Sequence, residues 1–487
     1  MNQDRTEGSL CALSPLDGRY AAVAGALRAY FSEYALMKER VLIEVRYLLA
    51  LGELPAFPLS LSTEEAAGLN LIGERFSLTD AEFIRRIEQE GEGGIGPTGH
   101  DVKAVEYYLR ERLTELGLAR LSPWIHIGLT SEDVDNLAYN RLILSAVHTV
   151  ILPAITDIEQ RLLLLAEEHK RLPMLGHTHG QPASPTTLGK EFAVYLHRLT
   201  DGVAHLGAIR LNGKLAGATG NLSAHRFAFP EVDWLGFAAR FVSQLGLEPA
   251  IISTQVLSGD RLARLFFALI RINNVLLDLV VDMWLYISKG YLLTRPRRGA
   301  IGSSTMPHKT NPIDFENSEG NLTKANADLV FLSTALTRSR LQRDLSGSTI
   351  RRTIGTTFAH SLIGYRRALA GLNRVTVEEE TISTDLHRHF EVLSEPLQTL
   401  LRRAGTADAY ERVKEHLRAG ALDKADFSEL IAKTGDYAKD DPIARLCPAD
   451  YIGFAVELAE RVIAAARSEN HRDKWVRPHN PSEGANR

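Results

Sequence analysis

Several short segments carry side chains of the kinds that move protons and grip anions. In Gly302-Ser303-Ser304-Thr305-Met306-Pro307-His308-Lys309-Thr310-Asn311-Pro312, a glycine and three hydroxyl residues precede a cation, Lys309, and an amide, Asn311. A mobile backbone with exposed amides beside an ammonium suits an anion; the same string also reads as a Ser/Thr turn before a helix. His179 lies in the Gly/Pro-rich stretch from Gly176 to Pro185. An imidazole can deliver a proton, although a loop histidine serves equally as a polar contact. The pair His100-Asp101 decides nothing alone. Thr130 and Ser131 stand where a helix N-terminus can accept a carboxylate, and Thr130 with Asp133 also spells a capping box.

Other patterns exclude chemistry. Gly91-Glu92-Gly93-Gly94-Ile95-Gly96 spells the dinucleotide fingerprint, but the charged stretch from Arg85 to Glu90 stands where that fingerprint needs a buried strand. His177 with His179, and His387 with His389, have no cysteine or HExxH companions, so no metal is expected. No Walker A loop or GxSxG elbow occurs. The two cysteines, Cys11 and Cys447, lie near opposite ends and build no disulfide framework. Fifty-six basic against 60 acidic residues leave a charge of -4, which offers no general attraction to nucleic acid or acidic membranes. Any anionic ligand must be met by local charge.

Long amphipathic helices have to position these segments. Apolar residues at Leu262, Leu265, Leu269, Ile272, Leu276, Val280, Met283 and Ile287 keep a three-or-four spacing, and Leu188 to Ile209 repeats it. Val134 to Lys170 predicts a third helix, kinked at Pro153. Alternating runs are scarce, so the fold class is all-α, a bundle of long helices with apolar residues on more than one face. Domain breaks are placed near 120 and 372, giving an N-terminal domain over 1–120, a central bundle over 121–372 and a C-terminal domain over 373–487. With 487 residues, 45% of them hydrophobic and 24% charged, the chain reads as globular. Its polar start, MNQDRTEGSL, has no apolar leader core, and Leu142 to Thr156 is shorter than the roughly 18 apolar residues of a membrane span. A reducing cytoplasm, with no membrane span, is the expectation.

The string GSSTMPHKTNP resembles the GSSxMPxKxNP signature of the fumarase/aspartase superfamily, whose members eliminate fumarate from succinyl compounds. Ser14 to Tyr20, His100 to Tyr107, Thr130 to Asp133, Thr178 to Ala183 and Asn317 to Asn321 resemble, in the same order, the adenylosuccinate lyase family. Pro230 to Trp234 and Glu391 to Pro396 resemble its bacterial type. The resemblance, spanning about 10 to 465, implies elimination of fumarate from adenylosuccinate, giving AMP, and from the succinylated imidazole carboxamide ribotide SAICAR, giving AICAR. It also implies no cofactor, a tetrameric helical core, and a homotetramer whose active sites gather segments from three subunits.

Residue by residue, the resemblance makes Ser303 the general base and His179 the general acid. It gives Arg19 and Tyr20 phosphate and ring contacts, and His100 with Asp101 a positioning role. Thr130, Ser131, Gln255, Ser304, Lys309, Asn311 and Asn317 become succinyl or loop contacts. Arg343, Ser348, Thr349 and Arg352 match the phosphate-binding group, where a guanidinium can grip in two places. The chain departs from the family pattern at Gly99, where asparagine is usual, at His177, where arginine is usual, and at Arg351, where leucine is usual. Argininosuccinate lyase is the nearest alternative; His308 and the phosphate-type arginines speak against it. A relative that kept the fold and lost turnover is the other alternative, and the retained Ser303, His179, Lys309 and Asn311 speak against that.

Overall fold

Three-or-four spacing of apolar residues becomes a bundle of long helices. The computed structural model describes residues 10–296, 306, 308–417, 420–435 and 441–468. The elements that matter to the site are α1 (Glu33–Gly52), α2 (Asp101–Glu115), α3 (Ser131–Ala146), α4 (Leu152–His169), α5 (Leu188–Ala208), α6 (Asp260–Ser288), α7 (Ile313–Ala335), α8 (Ser346–Arg351) and α9 (Ile354–Leu372). In α6 the residues Leu262, Leu265, Leu269, Ile272, Leu276, Val280 and Met283 are all buried, so the stripe legible in the sequence faces the core. Helices α6 and α9 flank α7, α5 packs on α4 and α6, and α4 on α9. One polar tie crosses this core: the buried Asn273 amide donates to Asn326 at 2.9 Å and accepts from the Tyr365 hydroxyl at 2.6 Å, joining α6, α7 and α9. Burying an amide is tolerable because these partners satisfy it.

The predicted helix from Val134 to Lys170 is continuous, but it is not interrupted at Pro153 itself. One π turn, Val147–Ile151, precedes α4, and Pro153 sits in the first turn of α4. Proline has no N–H to offer the carbonyl four residues back, and the wider turn absorbs the misfit. By length and composition Ser131–His169 is long and apolar enough to cross a membrane; 56% of its most apolar window is buried. Its burial against α1 and α5 identifies a core helix.

Gly176 to Pro185, read as a loop, is an antiparallel hairpin of β1 (Pro173–Thr178) and β2 (Gln181–Thr187). A second apolar cluster, formed by Phe390, Val392, Leu393, Leu397, Leu401, Val413, Phe427 and Leu430, takes in Leu175 from β1. The C-terminal helix Ala455–Ser468 returns to pack on α5 and α4.

Candidate active site

The segment Thr130 to Asp133 does more than cap a helix. The Asp133 carboxylate accepts the Thr130 N–H at 2.9 Å, which is the capping half of the box at the start of α3. It also accepts from the Lys214 ammonium at 2.8 Å and from the backbone N–H groups of Ala216 and Gly217 at 2.8 and 3.1 Å. The Lys214 and Asp133 side chains are each 1% exposed. Removing these charges from water is tolerable only because the acid's lone pairs are taken up by four donors. Glu132 is buried too, and accepts from Arg351 Nη1 at 2.7 Å. The two acids thus anchor the N-terminus of α3 to two different segments, and its free N–H groups point at whatever lies beyond Thr130 and Ser131.

A second set of charges meets at the start of α2. Asp101 Oδ1 caps that helix through the Val102 N–H at 2.9 Å, while its Oδ2 receives Arg40 at 2.9 Å and Arg352 at 3.0 Å. Arg40 also donates to Asp135 on α3 at 2.8 Å. Burial pushes the Asp101 carboxyl up, but Arg40 and Arg352 outweigh it and hold it below the usual carboxylate range. Burial would likewise pull the Arg40 guanidinium down, and Asp135 with Asp101 reverses the sign. Arg352 keeps its other face in solvent, with a side chain 46% exposed. His100 is the N-cap of α2; its Nδ1 accepts the Lys103 N–H at 3.2 Å and its Nε2 lies 3.5 Å from the Ser131 hydroxyl. Gly99, with φ 56, holds a left-handed conformation that glycine and asparagine both adopt readily, which gives a backbone reason for this departure from the family pattern.

Three segments far apart in the chain therefore bring His100, Asp101, Thr130, Ser131 and Arg352 together, and the exposed Thr349 and half-buried Ser348 lie on the short α8, which ends just before Arg352. Gln255 and Arg343 form a separate pair: the amide oxygen accepts from Arg343 at 2.9 Å, and the amide nitrogen donates to the Ala218 carbonyl at 2.6 Å. Tyr20 and Asn317 form another, with Asn317 donating to the Tyr20 hydroxyl at 3.1 Å; Arg19 beside them is exposed. Lys309 is exposed, and Asn311 Oδ1 is buried with no hydrogen-bond partner among the described residues. Ser303 and Ser304 lie outside the described residues.

His179 sits elsewhere. It and Gly180 form the two-residue turn between the paired residues Thr178 and Gln181, with φ 53 and φ 72. Two consecutive positive φ values are the mark of a type I′ turn, whose twist matches the strands it joins. The imidazole stands exposed at the tip, and among the described residues no hydrogen bond or ion pair joins its side chain to His100, Thr130, Ser131 or Arg352. Two residues earlier, His177 Nε2 accepts from the Lys289 ammonium at 2.9 Å. Burial and then Lys289 push His177 below its ordinary pKa, so the permanent charge here belongs to Lys289 and not to residue 177. Hairpin, Lys289 and residues of the C-terminal helix line a cavity of about 720 Å³.

The glycine run 91–96 follows the helix Leu78–Gln89, not a strand, and closes a small turn through Glu92 and Ile95. The histidines at 387 and 389 are local ties: His387 contacts the Ser383 carbonyl at 2.7 Å, and His389 the Glu391 carboxylate at 2.6 Å. Sequence reading gave Arg40, Asp135 and Lys214 no role; a charged residue inside an apolar helical stripe is the signal that could have exposed Arg40 and Asp135.

Comparison with known proteins agrees with this architecture. Residues 18–326 match the family described as Lyase, and residues 339–452 the family described as Adenylosuccinate lyase C-terminal. Adenylosuccinate lyase of Haemophilus influenzae is 42% identical over 463 residues, covering 93% of this chain and 99% of the relative. Adenylosuccinate lyase of Vibrio cholerae is 40% identical, with the same coverage of 93% and 99%. Among solved structures, a fumarate lyase from Mesorhizobium sp. BNC1 shares the fold at 20% identity with a TM-score of 0.73, covering 90% of this chain and 97% of that one. Helical bundle, motif order and near full-length identity place the chain in one group: it belongs to the adenylosuccinate lyase family, within the fumarase/aspartase superfamily.

Proposed function

We propose that this chain eliminates fumarate from adenylosuccinate to give AMP, and from SAICAR to give AICAR. The observation that carries the reading is the convergence of His100, Asp101, Thr130, Ser131 and Arg352 at the paired N-termini of α2 and α3, a place built to receive anions.

In the proposed reaction Ser303 takes a proton from the carbon beside a substrate carboxylate. The C–H electron pair moves into that carboxylate as an aci-carboxylate, then returns to form the carbon–carbon double bond as the C–N bond breaks. His179 protonates the departing nitrogen. A serine hydroxyl is a weak acid in water, so its alkoxide depends on Lys309, loop amides and exclusion of solvent. Thr130 and Ser131 at the helix terminus, with Gln255, Ser304, Lys309, Asn311 and Asn317, would hold the succinyl carboxylates. Arg19 and Tyr20 would meet phosphate and ring, and Arg343, Ser348, Thr349 and Arg352 the phosphate. No cofactor enters this scheme.

We further infer a homotetramer acting on small-molecule substrates in the cytoplasm. Large apolar side chains stand exposed along α6 and α7, Phe267 at 53%, Trp284 at 44% and Phe331 at 53%, together with Val281, Leu285 and Val330. Patches of this kind on long bundle helices mark surfaces that other subunits cover, and further copies of the chain would bring other subunits' loops to the exposed His179.

The test is fumarate release by the purified protein from adenylosuccinate, with argininosuccinate in parallel and Ser303→Ala as control. Release from adenylosuccinate alone, falling 10²- to 10⁴-fold in the variant, is the expected outcome. Release from argininosuccinate alone, or a Ser303→Ala variant within about tenfold of the parent, would overturn the reading.

A further inference from the structure

The ion pairs around α2 and α3 close on themselves. Asp135 on α3 holds Arg40 of α1 at 2.8 Å, Arg40 holds Asp101 of α2 at 2.9 Å, and Asp101 holds Arg352 at 3.0 Å. The next residue back, Arg351 at the end of α8, returns to α3 through Glu132 at 2.7 Å, three residues from Asp135. Four elements are locked in one circuit, and the Arg351–Glu132 pair is the link that closes it.

Arg351 and Arg352 are neighbours with opposite fates. Successive side chains on a helix diverge by roughly 100°, so one guanidinium points inward and the other outward. The Arg351 side chain is 8% exposed and is spent on Glu132, which is 4% exposed; that of Arg352 is 46% exposed. Arg351 therefore offers nothing to a ligand in solvent. A buried ion pair contributes little net stability against an apolar replacement, but its bond directions fix which parts sit together. The parts fixed here are the α8 turn, with Ser348, Thr349 and Arg352, and the N-terminus of α3, with Thr130 and Ser131.

We propose that Arg351 is a positioning residue for the phosphate end of the substrate: by holding Glu132 it sets the α8 turn at the distance and angle at which Arg352, Ser348 and Thr349 receive a phosphate. The proposal rests on the reading that those three residues bind phosphate. It goes further by assigning a role to a side chain that does not meet the ligand, at a position where the family pattern has leucine. Lysine at this position would keep the charge and lose the fixed fork of the guanidinium, and would restore the geometry only in part.

The experiment compares AMP and adenosine, which differ only in the phosphate, by calorimetric Kd on the intact protein, alongside kcat and KM for adenylosuccinate. Arg351→Met alone strands the Glu132 charge and endangers folding, so the decisive variant is Glu132→Leu/Arg351→Met, which removes both charges together. In that variant the Kd for AMP and the KM for adenylosuccinate should rise about tenfold or more, while adenosine binding and kcat change less than about threefold. Arg351→Lys should fall between. A double variant that melts like the parent and keeps its AMP-to-adenosine preference overturns the proposal, as does equal loss of both ligands. Parent protein that releases no fumarate, or an Arg352→Met variant with an intact AMP preference, overturns the underlying reading and the proposal with it.

Discussion

The start of α2 and α3 and the tip of the β1–β2 hairpin each carry part of the candidate site, and they are held by different means. At the helix ends, Asp101, Glu132 and Asp133 are bound by Arg40, Arg351, Arg352 and Lys214, charges drawn from five segments and mostly buried. At the hairpin, His179 is held by its own backbone, in a two-residue turn with positive φ at both positions, and its side chain is exposed. Fixed anions in a substrate are best met by charges that cannot reorganise, whereas a proton donor has to be exposed and able to approach a leaving group. Electrostatic preorganisation therefore accounts for the first region and turn geometry for the second.

Removing the proposed donor while keeping its turn tests the contrast most directly. Asparagine adopts the left-handed conformation readily, so His179→Asn should preserve the hairpin and lower kcat by 10²- to 10⁴-fold, with AMP affinity and melting temperature retained. If turnover stays within about tenfold, the hairpin is not the acid's mount. In the helix-end region the corresponding change is Lys214→Met, which leaves the buried Asp133 with amide donors alone. Denaturant titration should record a loss of about 3 kcal/mol; a loss under about 1 kcal/mol would mean that the amides suffice and that the charge is dispensable.

The smallest effect belongs to Lys289. His177 is held below its ordinary pKa by burial and then by this ammonium. A depressed histidine binds fewer protons folded than unfolded, so it contributes a stability loss that sets in as pH falls through the unfolded value, about 6.5, and is absent well above it. In Lys289→Met the His177 ring should titrate at higher pH by NMR, and the drop in melting temperature between pH 7 and 5 should shrink. An unmoved titration midpoint would assign the depression to burial alone.

Periodicity made α5 and α6 legible, because Leu188 to Leu206 and Leu262 to Met283 repeat at the spacing of a single buried stripe. The capping box at Thr130 and Asp133 was equally local. The hairpin was not read, since the glycines and prolines of 176–185 look the same in a turn-rich loop; His179-Gly180 flanked by threonine and glutamine was the available signal. The ion circuit left a local trace only in the charges that interrupt apolar stripes at Arg40 and Asp135; its pairing left none. Three of its four pairs span 95, 251 and 219 positions, and nothing in the spacing of a charged residue says which distant partner will neutralise it. Arg351 stood out only as a departure from a pattern, and its partner needed coordinates.

Those separations also set an order of events on the ribosome. Arg40, Asp101, Glu132 and Asp135 are synthesised early, whereas Arg351 and Arg352 emerge after roughly seven-tenths of the 487 residues. Contacts this non-local form late, after the loop-closure entropy has been overcome. A nascent chain that has made α1, α2 and α3 holds Asp101 without its second arginine and Glu132 without its arginine partner, so these acids lack neutralising contacts that they have in the folded chain. The region around the starts of α2 and α3 is thus among the last parts to mature, and shortened chains ending before α8 would expose apolar helices around uncompensated acids, the kind of species that chaperones and proteases recognise.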